Sequence, residues 1–114
     1  MNDCIFCKII AGKIPAKIVY EDEVAFSFED INPQAPVHIL VIPKKHIATV
    51  LDLNEGDHEL LGHLFAVANN IARDKGIAAR GFRIVTNCNP ESGQTVYHIH
   101  FHLLGGRHMH WPPG

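Results

Sequence analysis

Five consecutive residues near the C-terminus, His98-Ile99-His100-Phe101-His102, leave this chain few ways to fold. Side chains alternate across a β-strand. As a strand, the segment puts three imidazoles on one face and turns Ile99, Phe101 and Leu103 to the other, where they can meet a core. A polar face built only for solvent would more naturally use Thr, Lys or Glu. Three imidazoles in a row therefore point to chemistry, and two readings fit. They can bind a catalytic metal, as three-histidine zinc sites do. Alternatively, one imidazole is a nucleophile and its neighbours position the substrate.

The rest of the chain supplies a fold around that strand. Ile5 to Ala11 reads as a short helix with Gly12 just past its end. Ile18-Val19-Tyr20 and Val24 to Phe28 read as two strands joined by a tight Glu21-Asp22-Glu23 turn. Asp30-Ile31-Asn32-Pro33 is turn chemistry. Val37 to Ile42 is a nearly continuous apolar run, as expected of a central strand, and Pro43 ends it.

From about Asp57 to Lys75, the residues Leu60, Leu61, Leu64, Phe65, Ala68, Ile71 and Ala72 recur at the spacing of one helical face. Asn54 or Asp57 suits its N-cap, and Gly76 suits a left-handed C-terminal cap. Gly81 to Thr86 and Thr95 to Leu104 are the remaining strands, the latter ended by Gly105-Gly106. The predicted class is α+β with a mainly antiparallel sheet of about five strands, one long helix and a short N-terminal helix. Residues 1–114 form one domain in this reading, with 109–114 as a tail.

Composition removes several functional classes. The 114 residues are 46% hydrophobic and 19% charged, with a formal net charge of -2, and Lys44-Lys45 is the only basic pair that stands out. No dense basic run marks a nucleic-acid-binding face. No apolar run approaches the ~20 residues of a membrane-spanning helix. The opening Met1-Asn2-Asp3-Cys4 does not resemble a secretory leader, so the cytoplasm is the expected compartment. Three cysteines, an odd number, argue against a disulfide framework.

Further residues invite a functional reading. The loop before the histidine strand offers Asn87, Ser92, Gly93 and Thr95, with amide, hydroxyl and backbone N–H donors. A donor-rich, carboxylate-poor site suits an anion such as phosphate better than a hydrated divalent metal. His38 interrupts the apolar face of the central strand, where a histidine is either a satisfied core residue or part of a site. Cys4-x-x-Cys7 suits a structural zinc site with His46 and His98 as candidate partners, a pair of reduced thiols, or a redox dithiol.

Taken together, these segments resemble the histidine triad (HIT) superfamily, whose hallmark His-x-His-x-His plus two apolar residues reads here as His98 to Leu104. Within it they resemble the Hint branch, the purine nucleoside phosphoramidases. The likeness is carried by Ile5-Phe6, Lys8-Ile9-Ile10, Ile14-Pro15, Asp30 to Pro36, Val41 to His46, Leu103 to Arg107 and the ending Met109 to Gly114.

The resemblance implies a homodimer whose sheet continues between subunits, with the Trp111 tail near the partner's active site. It implies hydrolysis of adenosine or guanosine 5′-phosphoramidates to a nucleoside monophosphate and an amine. A non-catalytic nucleotide-binding or scaffold protein and a dinucleoside polyphosphate hydrolase are the alternatives. In the resemblance His100 is the nucleophile, His102 and Thr95 contact phosphate and leaving group, and His38 relays a proton. Asn87 and Gly93 lie on the phosphate side. Asp30 takes the ribose hydroxyls, and Ile5, Phe6, Ile9, Phe28, Ile31 and Leu40 form an apolar purine slot. Catalysis needs no cofactor.

Thr95 stands where family members often have Ser, and Ser92 where Gly is common. The Cys4/Cys7 pair is absent from many Hint enzymes. It resembles bacterial HIT proteins that hold a structural zinc with two cysteines and two histidines, which makes His46 and His98 its partners.

Overall fold

The computed structural model describes residues 3–114. Met1 and Asn2, where the reading of the leader begins, lie outside the described residues. The elements in chain order are α1 (Ile5–Ile10), β1 (Ile18–Glu21), β2 (Ala25–Glu29), β3 (Val37–Pro43), α2 (His58–Asp74), β4 (Phe82–Val85) and β5 (Phe101–Gly105). The strands form one antiparallel sheet in the order β1-β2-β3-β5-β4. The α+β class and its five strands agree with the expectation from sequence.

Both faces of the sheet are covered, as the nearly continuous apolar run of β3 requires. On one face Ala25, Ile39, Val41, Phe101 and Leu103 pack against Leu64, Val67, Ala68, Ile71 and Ala72 of α2. On the other, Phe26, Phe28, Leu40 and Ile42 pack with Phe6 of α1. Register then builds a row across the sheet. Phe28 pairs with Leu40, Leu40 with His102, and His102 with Val85. His38 lies diagonally from His102, within reach across adjacent strands.

Three details differ from the sequence reading. The last strand begins at Phe101 rather than Thr95, so His98 and His100 precede the ladder, His98 at the end of a bend over 96–98. That segment is held by Ile99 N–H donating to Ile47 O at 2.7 Å. In α2 the stripe is rotated from the expected one: Val67 is buried, while Phe65 is 41% exposed and leans on Phe101 at 5.2 Å between ring centres. Asn54 caps a short 3-10 turn, Glu55–Asp57, rather than α2 itself. Asp57 precedes α2 without capping it; its carboxylate accepts from Asn54 N–H and Lys45 Nζ. The C-terminal end is as expected, with Gly76 at φ +76°.

Candidate functional site

His100 is 7% exposed. Its Nδ1 lies 2.8 Å from the carbonyl oxygen of His98, and a carbonyl can only accept. Nδ1 therefore carries the hydrogen, and Nε2 keeps its lone pair. The Phe6 ring meets the imidazole edge-on at 5.1 Å, and His102 lies beside it at 5.0 Å. Burial holds the His100 pKa below the ordinary histidine range, against the bond to His98 O and the distant carboxylate of Asp30, which both raise it. The ring is thus a neutral base near pH 7.

A second chain of bonds fixes the neighbouring rings. The backbone N–H of Gln34 donates to His38 Nδ1 at 2.9 Å. His38 must then carry its hydrogen on Nε2. That nitrogen lies 2.9 Å from His102 Nδ1 and 3.3 Å from Asp30 Oδ2. His102 Nδ1 accepts, so the His102 hydrogen is on Nε2. Burial, with His100 and His38 adding to it, pushes the His102 pKa down to about 4. Burial lowers His38 as well, against the opposing pull of Asp30.

His98 turns the other way. It is fully buried, and its Nε2 donates to Pro43 O at 2.8 Å, which leaves Nδ1 bare. Nδ1 faces Cys4 Sγ at 3.4 Å, Cys7 Sγ at 3.6 Å and His46 Nδ1 at 3.3 Å, while Cys7 Sγ lies 3.4 Å from His46 Nδ1. A tetrahedral zinc ion, with nitrogen at about 2.0–2.1 Å and sulfur at about 2.3 Å, separates two nitrogens by about 3.3 Å and nitrogen from sulfur by about 3.5 Å. The four groups fit that ion in both chemistry and spacing, and no disulfide consumes the thiols.

Among the described residues the three histidines of the run do not converge on a common point; His98 groups with the cysteines, and His102 with His38 and Asp30. A metal at the latter group would have to replace the Nε2 hydrogen of His38, whose other nitrogen already accepts from Gln34. The three-histidine metal reading therefore loses its geometric basis.

The apolar residues named from sequence divide into floor and rim. Phe6, Phe28 and Leu40 are 6%, 4% and 4% exposed, with Phe6 and Phe28 edge-to-face at 5.4 Å. Ile9 packs against them half-buried, and Ile5 stands exposed above. Ile31 is 98% exposed and lies beside Asp30 in a hollow of about 600 Å³ lined also by Pro15, Ala16 and Lys17. Asp30 Oδ1 accepts from Asn32 N–H at 2.8 Å, which ties the turn after β2.

The donor loop is partly spent on itself. Ser92 Oγ donates to Asn89 O at 2.7 Å, so its hydrogen is not turned to a ligand. Gly93 takes φ +95° and closes a 3-10 turn, Pro90–Ser92. Asn87 is half-buried just past β4, and Thr95 is exposed at a hollow shared with Ile5, His46 and Tyr97. Sequence reading assigned nothing to Gln94, which is 6% exposed. It accepts from Asn89 N–H and donates to Ala48 O and Val96 O, pinning the loop to the chain after β3. A glutamine inside a polar loop gives no sign that it will be buried.

A base of fixed tautomer, backed by two oriented imidazoles on an antiparallel sheet, can attack an electrophile and steady the charge that develops. A family model described as HIT domain matches residues 11–109, and the chain belongs to that family. It is 54% identical over 112 residues to a 14 kDa zinc-binding protein of Zea mays, covering 96% of this chain and 87% of that one. A HIT family hydrolase of Legionella pneumophila is 54% identical, with a TM-score of 0.97 over 98% of this chain and 100% of that one. A histidine triad nucleotide-binding protein of Candida albicans is 31% identical, with a TM-score of 0.82 over 96% and 83% of the two chains.

Proposed function

We propose that this HIT protein hydrolyses purine nucleoside 5′-phosphoramidates through a nucleotidyl-His100 intermediate. The observation that carries the reading is the Nδ1–H···O bond from His100 to His98, which leaves Nε2 as a bare, buried nucleophile. Attack of Nε2 on the α-phosphorus forms a P–N bond to the ring and breaks the P–N bond to the leaving amine, which takes a proton from solvent as it departs; the hydrolysis that follows returns that proton. Water then cleaves the nucleotidyl-imidazole, giving the monophosphate and regenerating the ring. The His102 ring lies 5.0 Å from the His100 ring, centre to centre, and in this reading its Nε2–H donates to the phosphoryl oxygens. His38 supports it from behind, and such preorganised donors are usually the largest catalytic contribution.

Asp30 takes the ribose hydroxyls, with Ile31 and Ile5 over the Phe6, Phe28 and Leu40 floor for the purine. Asn87, Gly93 and Thr95 serve the phosphate and leaving-group side. The likeness to a protein named as nucleotide-binding supports this choice of substrate.

Cys4, Cys7, His46 and His98 hold a structural zinc ion in this reading. The donor spacing supports it, as does a relative named as zinc-binding. The ion supplies cross-linking between the start of the chain and the histidine segment, and no catalytic step passes through it. We also propose a homodimer whose sheet continues between subunits, with the tail of one subunit reaching the other's site. Within one chain the tail stays by β4: Arg83 donates to His110 O at 3.0 Å and lies 6.0 Å from the Trp111 ring centre, with Trp111 82% exposed. Removing residues 110–114 is then expected to change the preference among leaving amines in steady-state kinetics. Identical kinetics for a panel of amines would remove the tail from the site.

The test of the activity is mass spectrometry after rapid mixing with an adenosine 5′-phosphoramidate. An AMP adduct is expected on wild type and not on His100→Ala, which loses turnover. Tight nucleotide binding without adduct or turnover would identify a binding protein. Faster turnover of dinucleoside polyphosphates would replace the phosphoramidate as substrate.

A further inference from the structure

The exit from β5 holds a residue that the chemistry above does not use. Arg107 Nε donates to the carbonyl of Gln34 at 3.0 Å, and its Nη1 donates to His108 O at 3.0 Å. The preceding residue explains the close approach. Gly106 has φ +92°, and a Cβ there would lie 2.9 Å from Pro36 Cβ, so only glycine lets the two segments pack. Gln34 is the residue whose N–H donates to His38 Nδ1. It is therefore held at both ends, by Arg107 at its carbonyl and by His38 at its amide.

The consequence is directional. With Nδ1 of His38 accepting, the ring hydrogen sits on Nε2 and is shared between His102 Nδ1 and Asp30 Oδ2. The opposite tautomer would set two N–H groups against each other at Gln34 and a lone pair against the Asp30 carboxylate. Each ring then passes its orientation to the next, and the His102 hydrogen is left facing away from His38, beside His100.

We infer that Arg107 is a positioning residue: by holding Gln34 it sets the direction of the His38–His102 hydrogen-bond chain. The kinetic arm of its test rests on the proposed hydrolase reading; the spectroscopic arm does not. The full chain is labelled with ¹⁵N and compared as wild type, Arg107→Ala, Arg107→Gln and Arg107→Lys, with thermal unfolding in parallel.

In wild type, His38 Nδ1 is expected to resonate as an imine nitrogen that accepts a hydrogen bond. In Arg107→Ala it moves downfield toward a free imine. kcat falls about fivefold, the size of one typical net hydrogen bond, with KM within about twofold. Arg107→Lys and Arg107→Gln keep a donor and recover part of both signals. An unmoved His38 Nδ1 resonance in Arg107→Ala overturns the inference, whether kcat holds or falls with stability. A wild type that turns over no nucleotide, with a His38 resonance that still follows Arg107, removes the hydrolase reading and upholds this one.

Discussion

Gln94 and His98 show how much one side chain can do when its polar atoms are divided between tasks. Gln94 uses its oxygen and nitrogen for three backbone partners across two segments. A buried amide whose partners are backbone groups leaves them unsatisfied when it is removed, at about 1–3 kcal/mol for each group that water cannot reach. Gln94→Ala is expected to lose about 2–3 kcal/mol in urea unfolding, with faster hydrogen exchange at Asn89. A loss below about 0.5 kcal/mol would mean that solvent already serves those groups.

His98 was legible in sequence as one of a row of histidines, and the resemblance paired it with the cysteines, but strand alternation alone did not give its direction. Alternation gives the face of the strand, whereas the choice between facing His100 and facing the cysteines is made by Pro43 O, which is distant in sequence. The same limit applies to Ser92, whose hydroxyl is taken by its own loop. His38 could be read either way from sequence alone; only the Gln34 N–H and the His102 ring show that it is wired into the triad.

At the scale of elements, α1 is the most dependent. Six residues are far too few for a helix that stands on propensity alone. Cys4 supplies its N-terminal cap, with Sγ accepting from Cys7 N–H at 3.4 Å, and Phe6 anchors it against the His98 and His100 rings. If zinc joins Cys4 and Cys7 to His46 and His98, the ion holds α1 in place. Cys7→Ser is then expected to lower bound zinc from one per chain toward zero, reduce the Tm and speed hydrogen exchange across residues 5–10, with smaller changes in α2. Elemental analysis and exchange mass spectrometry check both parts; full protection of α1 in metal-free protein would separate the helix from the site.

The long elements were the easier ones to read. β3 announces itself by an apolar run broken only at His38, and α2 by its spacing. Phe65 was misplaced because period alone defines a stripe broader than the sheet covers, and Val67 at the other margin is the residue that fits under it. The start of β5 was read too early because His-x-His-x-His keeps its alternation beyond the point where β3 and β4 stop pairing with it.

For the molecule as a whole, the buried imidazoles tie stability to pH. His102 has its folded pKa pushed down to about 4, and His38 is lowered too, both chiefly by burial. An unfolded chain binds protons at these rings near the ordinary value of about 6.5, before the folded chain does. Unfolding then takes up protons between those limits, so stability is full above about pH 6.5 and declines as pH falls toward about 4. Each tenfold difference in proton affinity is about 1.4 kcal/mol, so His102 contributes no more than about 3.5 kcal/mol, less what solvent screening returns. Asp22, lowered through bonds from His63, Val24, Tyr20 and Ala25 against the cost of burial, adds its own loss at more acidic pH. Urea unfolding at pH 7.5, 5.5 and 4.5 should show the decline; a flat profile would mean that these rings protonate equally in both states.

The order β1-β2-β3-β5-β4 carries a consequence for how the chain is made. The last of these five strands to leave the ribosome is not an edge but the piece between β3 and β4. Until Gly105 emerges, β3 has an open flank, β4 has nothing to pair with, and the apolar side of α2 lacks Phe101 and Leu103. Synthesis at about 5–20 residues per second leaves that flank exposed for seconds. A nascent chain cut short before residue 101 is therefore not a weaker version of the protein but a template with an unpaired edge, suited to sticking to its neighbours.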